Sequence, residues 1–183
     1  MITPWLKLSY PEKEFHWFFN GGWKQWADDY RGILFNDRDI QSKENSTQRH
    51  NYFHEWFSAI TIFNRYDLRS FGGWYAAKDA AHRNKVEAIR ERVSQDVGNA
   101  ITTPVTAAKS PTAGLPDLFV YRDDNKTEWF FAEMKGPTDK ISKTQEMKSD
   151  GLDQAAGKNV VRPIELETTT ERFTPPHPHP RPR

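Results

Sequence analysis

A chain of 183 residues without cysteine can hold neither a disulfide nor a thiolate metal centre, which fits a reducing, cytoplasmic setting, and it is long enough for one domain with a packed core. The formal net charge is only +1, so no global basic field advertises nucleic acid. No apolar stretch approaches the ~20 residues of a spanning helix, and MITPWLKLSY lacks the basic-then-apolar pattern of a signal peptide.

Residues 1–45 are rich in aromatics, carry an Asn20-Gly21-Gly22 turn signal and show no sustained helical period. One or two short hairpins are expected there, an N-terminal appendage lying over one side of a core that runs over residues 46–167. The polar stretch DRDIQSKENSTQRH reads as a polar connection or a helix entrance, with Ser46 or Asn51 as candidate caps. From Tyr52 to about Arg65 the period is helical: Phe53, Trp56, Phe57, Ile60 and Phe63 form the stripe of an amphipathic helix packed on a sheet. Glu55 borders that stripe and is the only acid between Tyr52 and Tyr66. A charge so close to apolar packing is costly unless it is paired or metal-bound.

Phe71-Gly72-Gly73-Trp74 is a break. A second helix is expected from Tyr75 to about Val97, with Val86, Ile89, Val93 and Val97 on one face and Gly98 as its C-cap. Its other face is charged, with Arg83, Glu87 and Glu91 at i, i+4 spacing. Between Arg65 and Arg92 seven Lys and Arg stand against four acids, which makes Arg83 and Lys85 candidate phosphate contacts. The abundant Trp and Phe are read first as core, and only second as stacking surfaces for bases. Ile101 to Val105 reads as a short strand. The small-residue loop that follows, residues 106–114, carries Lys109, a further candidate phosphate contact.

The next stretch carries the chemistry. The apolar runs DLFVY and EWFFAEMK, split by RDDNK, read as a β-hairpin. Period-two alternation puts Trp129, Phe131, Glu133 and Lys135 on one face of the second strand. A hairpin brings Asp117, at the start of the first strand, close to the end of the second, so two carboxylates and one ammonium converge at one end of a sheet. Clustered carboxylates repel unless a proton or cation lies between them. Hard oxygen ligands of this kind suit Mg²⁺, which keeps waters and uses one or two carboxylates, and a neighbouring Lys can offset charge developing on a phosphoryl group. Ser142-x-x-Gln145 then forms a capping box for a helix running to about Ala156. Asn159 to Glu167 reads as a last strand, placed at an edge by Pro163. The Pro/His-rich residues 168–183 read as a disordered tail, in which His177 and His179 receive no role.

Gly114-x-Pro116-Asp117, Glu133-x-Lys135 with the trailing Gly136-Pro137-x-Asp139, and Ser142-x-x-Gln145 together resemble the VRR-NUC branch of the PD-(D/E)xK nucleases, over residues 114–145. That branch includes the nuclease domain of the Fanconi-associated nuclease and small stand-alone phage and bacterial enzymes. One departure is Lys148, where the family often has Trp or another bulky residue. The resemblance implies an α/β fold with a mixed central sheet flanked by helices, a restriction-endonuclease-like core. It implies a nuclease dependent on Mg²⁺, with Mn²⁺ as substitute, in which Asp117 and Glu133 are metal ligands and Lys135 is the catalytic lysine. The Met134 main-chain carbonyl is an added candidate ligand, and Gln145 lies near the metal in the family. A further acid usually comes from a helix ahead of the Gly-x-Pro-Asp motif; the aromatic stripe favours Glu55 over Glu87 or Glu91. The expected partner is nucleic acid, DNA before RNA, cut by structure, as in DNA repair. A restriction-type enzyme reading sequence through residues 1–45 is the alternative, as is a non-catalytic binding module, which would show a broken acid-acid-lysine set. The oligomeric state stays open, a homodimer included.

Overall fold

The structure is a computed structural model that describes residues 5–45, 49–72, 83–106, 110–136 and 139–175. Five strands make one sheet: β1 Leu6–Pro11, β2 Arg69–Gly72, β3 Leu118–Tyr121, β4 Trp129–Lys135 and β5 Val161–Thr169, in the spatial order β1-β5-β4-β3-β2. β2, β3 and β4 are antiparallel neighbours, whereas β5 lies parallel to β4 and β1 parallel to β5. The helices among the described residues are α1 Glu12–Trp17, α2 Trp23–Asp29, α3 Asp37–Glu44, α4 Arg49–Tyr66, α5 Arg83–Arg90, α6 Gln95–Thr102 and α7 Lys143–Ala156, with a kink at Asn20 and Gly21 separating the first two. This mixed sheet with flanking helices is a restriction-endonuclease-like α/β fold.

Strand alternation divides the interior in two. Leu118, Val120, Phe130, Ala132 and Met134 point into one buried cluster, shared with Phe53, Trp56, Phe57 and Ile60 of α4. Phe119, Tyr121, Trp129 and Phe131 point into the other, shared with Ile89, Val97, Ile101 and Leu152 of α5, α6 and α7. The stripe read from Tyr52 to Arg65 is thus the face with which α4 covers the sheet.

Several elements differ from expectation. Among its described residues the N-terminal segment forms no hairpin: its first strand enters the sheet beside β5, and Leu8, Tyr10, Phe18, Trp26 and Leu34 join the α4-side core. It is built in rather than laid on, because parallel pairing needs a partner distant in sequence that no local pattern announces. β5 is therefore interior, not an edge. Its Pro163 is tolerated because it falls where β1 only begins, with Leu6 opposite Ile164 and Trp5 N–H donating to the Pro163 carbonyl.

The helix expected through Val97 is two helices. α5 stops at Arg90, and α6 starts afresh because the Ser94 hydroxyl accepts from Val97 N–H at 3.3 Å, a local N-cap that outcompetes continuation. Gly98 consequently lies inside α6, and the residues from Ile101 begin as helix rather than strand. The expected start of that helix at Tyr75, the candidate cap Ser46, Lys109, Pro137, His177 and His179 lie outside the described residues.

Lys148 answers the departure noted above. It is buried, and the three N–H groups of its ammonium are shared among the carbonyls of Ala100, Ile101, Thr103 and Pro111, 2.7–3.0 Å away. The last carbonyls of a helix lack intrahelical partners and carry partial negative charge, so a cation here ties the end of α6 to α7 and to the loop that approaches Gly114. Burial lowers its pKa to about 8, which still leaves it protonated at neutral pH. Lys148→Met keeps the volume and removes the donor; it is expected to destabilise the fold by about 3 kcal/mol, read as a lower urea midpoint at unchanged slope.

Candidate active site

The end of β4 builds the site. β3 begins at Leu118, opposite Ala132, so Glu133, Met134 and Lys135 at the end of β4 pair only with β5 and have no partner on the β3 side. Asp117 turns back across this gap, and its Oδ2 accepts from Met134 N–H at 2.8 Å. Phe131 N–H donates to Val160 O on the β5 side. By alternation Met134 presents both its N–H and its C=O toward Asp117, because the two groups of one strand residue point the same way. Two residues along the Phe131 face lie Glu133 and Lys135. Lys135 Nζ donates to Glu133 Oε1 at 2.7 Å and to Gln145 Oε1 at 3.4 Å, and Gln145 Nε2 also donates to Glu133 Oε1.

Gln145 therefore serves twice. With Ser142 it completes the capping box of α7, its Oε1 accepting from Ser142 N–H at 2.9 Å while its own N–H goes to Ser142 Oγ at 3.2 Å. The same side chain braces the carboxylate and amine of β4. Gly114 seats this helix start against the motif. Its φ is +77°, and a Cβ there would lie 2.5 Å from the Thr144 carbonyl oxygen, so only glycine fits. Asp139 closes the far side by accepting from Gly136 N–H at 2.9 Å.

Glu55 arrives from α4, on the other side of the sheet. It reaches the site past Gly72, the last residue of β2, where a Cβ would meet Glu55 Oε2 at 2.7 Å. Sequence reading took Gly72 for a break; it is a passage for a carboxylate. Gly72→Ala is expected to leave the fold intact, since the far end of a flexible side chain can yield, but to push Glu55 out of place. The expected loss of turnover is about 100-fold, the cost of a misplacement of roughly 1 Å, at an unchanged melting temperature.

The electrostatics follow from burial. Glu55 is pushed up to about 8, first by desolvation, then by the charge of Asp117, with Lys85 pulling it back and Asp39 adding to the rise. Glu133 is pushed up to about 7 by desolvation and then by Asp117, against the hydrogen bonds from Lys135 and Gln145. Asp117 is itself raised, burial outweighing its bond from Met134 N–H and the charge of Lys135. Three carboxyl groups that disfavour ionisation together are what a bound cation would relieve. Among the described residues no group of three or more His, Asp or Glu is gathered tightly enough to make a ready cage. A hard divalent cation of the Mg²⁺ type takes one or two carboxylates and keeps its waters, which Asp117, Glu133 and the Met134 carbonyl fit; Glu55 stands next to Asp117 as a further acid.

Other candidates fall elsewhere. Glu87 is exposed on α5, and Glu91 pairs with Lys126 at 3.2 Å. Arg83 is exposed, as a phosphate contact requires. Lys85 is not: it is 5 % exposed and paired with Asp39 at 2.5 Å. The phosphate contact assigned to Lys85 is thereby corrected, since a buried amine spent on a carboxylate offers nothing to a surface ligand. Asp39 was missed altogether. It sits in a polar stretch whose charges read as solvated, and the Asn36–Asp39 capping box of α3 was the one local signal available.

Among family models, that of the VRR-NUC domain matches residues 73–161. Comparisons with curated proteins and with solved structures returned no match. The matched span contains Asp117, Glu133, Lys135 and Gln145, whereas Glu55, Gly72 and Asp39 stand upstream of it. On this restriction-endonuclease-like sheet, residues 73–161 thus match the VRR-NUC domain, a family of PD-(D/E)xK-type nuclease domains.

Proposed function

We propose that the protein is a divalent-metal-dependent nuclease that hydrolyses phosphodiester bonds in DNA, with Mg²⁺ as its metal. One observation carries the reading: Asp117 and Glu133 meet beside Lys135 at the end of β4, with Glu55 and Asp117 both lying against Gly72. When bound, the cation would supply Lewis-acid charge and a more acidic water. Asp117 and Glu133, with the Met134 carbonyl, orient the oxygen ligands from one rigid strand end, and Glu55 closes the set from α4. Lys135 holds its ammonium beside Glu133, where it can orient a water and offset negative charge as it builds on the phosphoryl oxygens. Gln145 restrains both side chains and so limits the reorganisation the site must undergo.

The test is incubation of the purified protein with labelled linear, flapped and four-way DNA. Cleavage is expected with Mg²⁺ or Mn²⁺ and none in EDTA, while Ca²⁺ supports binding without turnover. Strong cutting in chelator would overturn the metal-dependent reading.

A stability measurement probes the same site. Folded-state values of about 8 for Glu55 and about 7 for Glu133 lie above the ordinary glutamate value of 4.5. Their stabilising contribution is present in full below the unfolded pKa and is lost as pH rises through 7 to 8. In EDTA the melting temperature should therefore fall from pH 5.5 to pH 8.5. Added Mg²⁺ should raise it more at pH 8.5 than at pH 5.5, and Glu55→Gln should flatten the slope.

A further inference from the structure

Upstream of the matched span, α3 sends one side chain toward the site. Asp39 Oδ1 accepts from Lys85 Nζ at 2.5 Å, while Asp39 Oδ2 accepts from Asn36 N–H at 3.0 Å in the capping box that starts the helix. The carboxylate is therefore fixed from two directions. Lys85 is fixed in turn: it comes from α5, its side chain is 6 % exposed, and its ammonium also lies 3.5 Å from the Gly72 carbonyl. Gly72 is the residue past which Glu55 enters. Asp39, Glu55 and Gly72 line one cavity of about 80 Å³, closed by Leu34, Phe35 and Tyr52. Around Glu55 the neighbouring charges are Asp117 and Asp39 against Lys85.

We propose that the Asp39–Lys85 pair is a positioning device for Glu55, so that the N-terminal segment completes the catalytic centre of the nuclease domain. The proposal rests on the nuclease reading above. An ion pair out of water is expensive, and its replacement by apolar residues of similar volume is often neutral or stabilising. Packing alone gives no reason to keep one here. Its location does: Lys85 sets a positive charge and a main-chain contact at the point where a carboxylate must be held near a second carboxylate. Partners that act on a metal ligand from behind characteristically change metal affinity or activity by about 10- to 100-fold when lost.

The experiment is the double variant Asp39→Asn with Lys85→Met, which removes both charges at once and keeps a side-chain oxygen for Asn36 N–H. Three quantities are compared with the wild type: the melting temperature in EDTA, the Mn²⁺ dissociation constant measured by titration calorimetry without nucleic acid, and the single-turnover cleavage rate. The expected result is a melting temperature equal to or above the wild type's, Mn²⁺ binding about tenfold weaker and cleavage about tenfold or more slower. A stable double variant with wild-type Mn²⁺ affinity and rate would overturn the proposal and leave the pair purely structural. If the double variant does not fold, Lys85→Gln and Asp39→Asn are measured singly, and unchanged Mn²⁺ affinity in both overturns it equally. A wild type that neither binds Mn²⁺ nor cleaves sinks the nuclease reading and this proposal together, an outcome distinct from the first.

Discussion

Lys135→Ala should lower single-turnover cleavage by at least ~100-fold, the effect of losing one preorganised donor at a developing charge, while nucleic-acid affinity measured in Ca²⁺ stays within about twofold. The expectation rests on where the amine points. Its Nζ lies 2.7 Å from Glu133 and 3.4 Å from Gln145, with 16 % of the side chain exposed. It is held inside the site rather than extended toward solvent, where a phosphate contact would wait. Equal losses in binding and rate would make it a substrate grip instead. Lys135→Arg is expected to rescue poorly, because a planar fork cannot replace a compact ammonium between one carboxylate and one amide.

Asp117→Asn should abolish most cleavage, by at least ~100-fold, and should do so while stabilising the metal-free protein. Asparagine keeps a carbonyl oxygen for Met134 N–H, so the turn that now accepts that bond at 2.8 Å is preserved. It removes the charge that raises both Glu55 and Glu133. The gain in EDTA at pH 8 should be on the order of 1 kcal/mol, the free energy of one unit of pKa displacement, and Mg²⁺ should no longer raise the melting temperature. A variant less stable than the wild type in EDTA, yet still stabilised by Mg²⁺, would mean that Asp117 belongs to the scaffold and not to the metal.

Both variants test residues that local sequence pattern singles out. The hairpin, its alternation and the capping box depend on chemistry within a few residues, and all three are found where the pattern put them: β3 and β4 pair as expected, and Ser142 and Gln145 bond reciprocally. The aromatic stripe of α4 was legible for the same reason, as a helix-wide period. Less legible was the stretch from Arg83 to Thr102. A continuous apolar spacing there concealed a turn, because Ile89, Val97 and Ile101 meet in one cluster whether one helix or two carry them.

The sequence by itself determined that Asp117, Glu133 and Lys135 share one end of a hairpin, since period-two alternation and a short loop leave them nowhere else to go. Only the tertiary structure decided which helix acid lies next to Asp117, which way Lys85 turns and where residues 5–45 pack. A helical stripe says that a face is buried, not what lies across from its border. Glu55 is brought to Asp117 by the packing of α4 on the sheet and by the missing side chain of Gly72. Lys85, on a helix that reads as a charged surface, turns inward because Asp39 waits there, 46 residues upstream. The strand at Leu6–Pro11 finds β5 at the other end of the chain. Each of these depends on contacts between residues far apart in sequence, which local propensity and spacing do not encode.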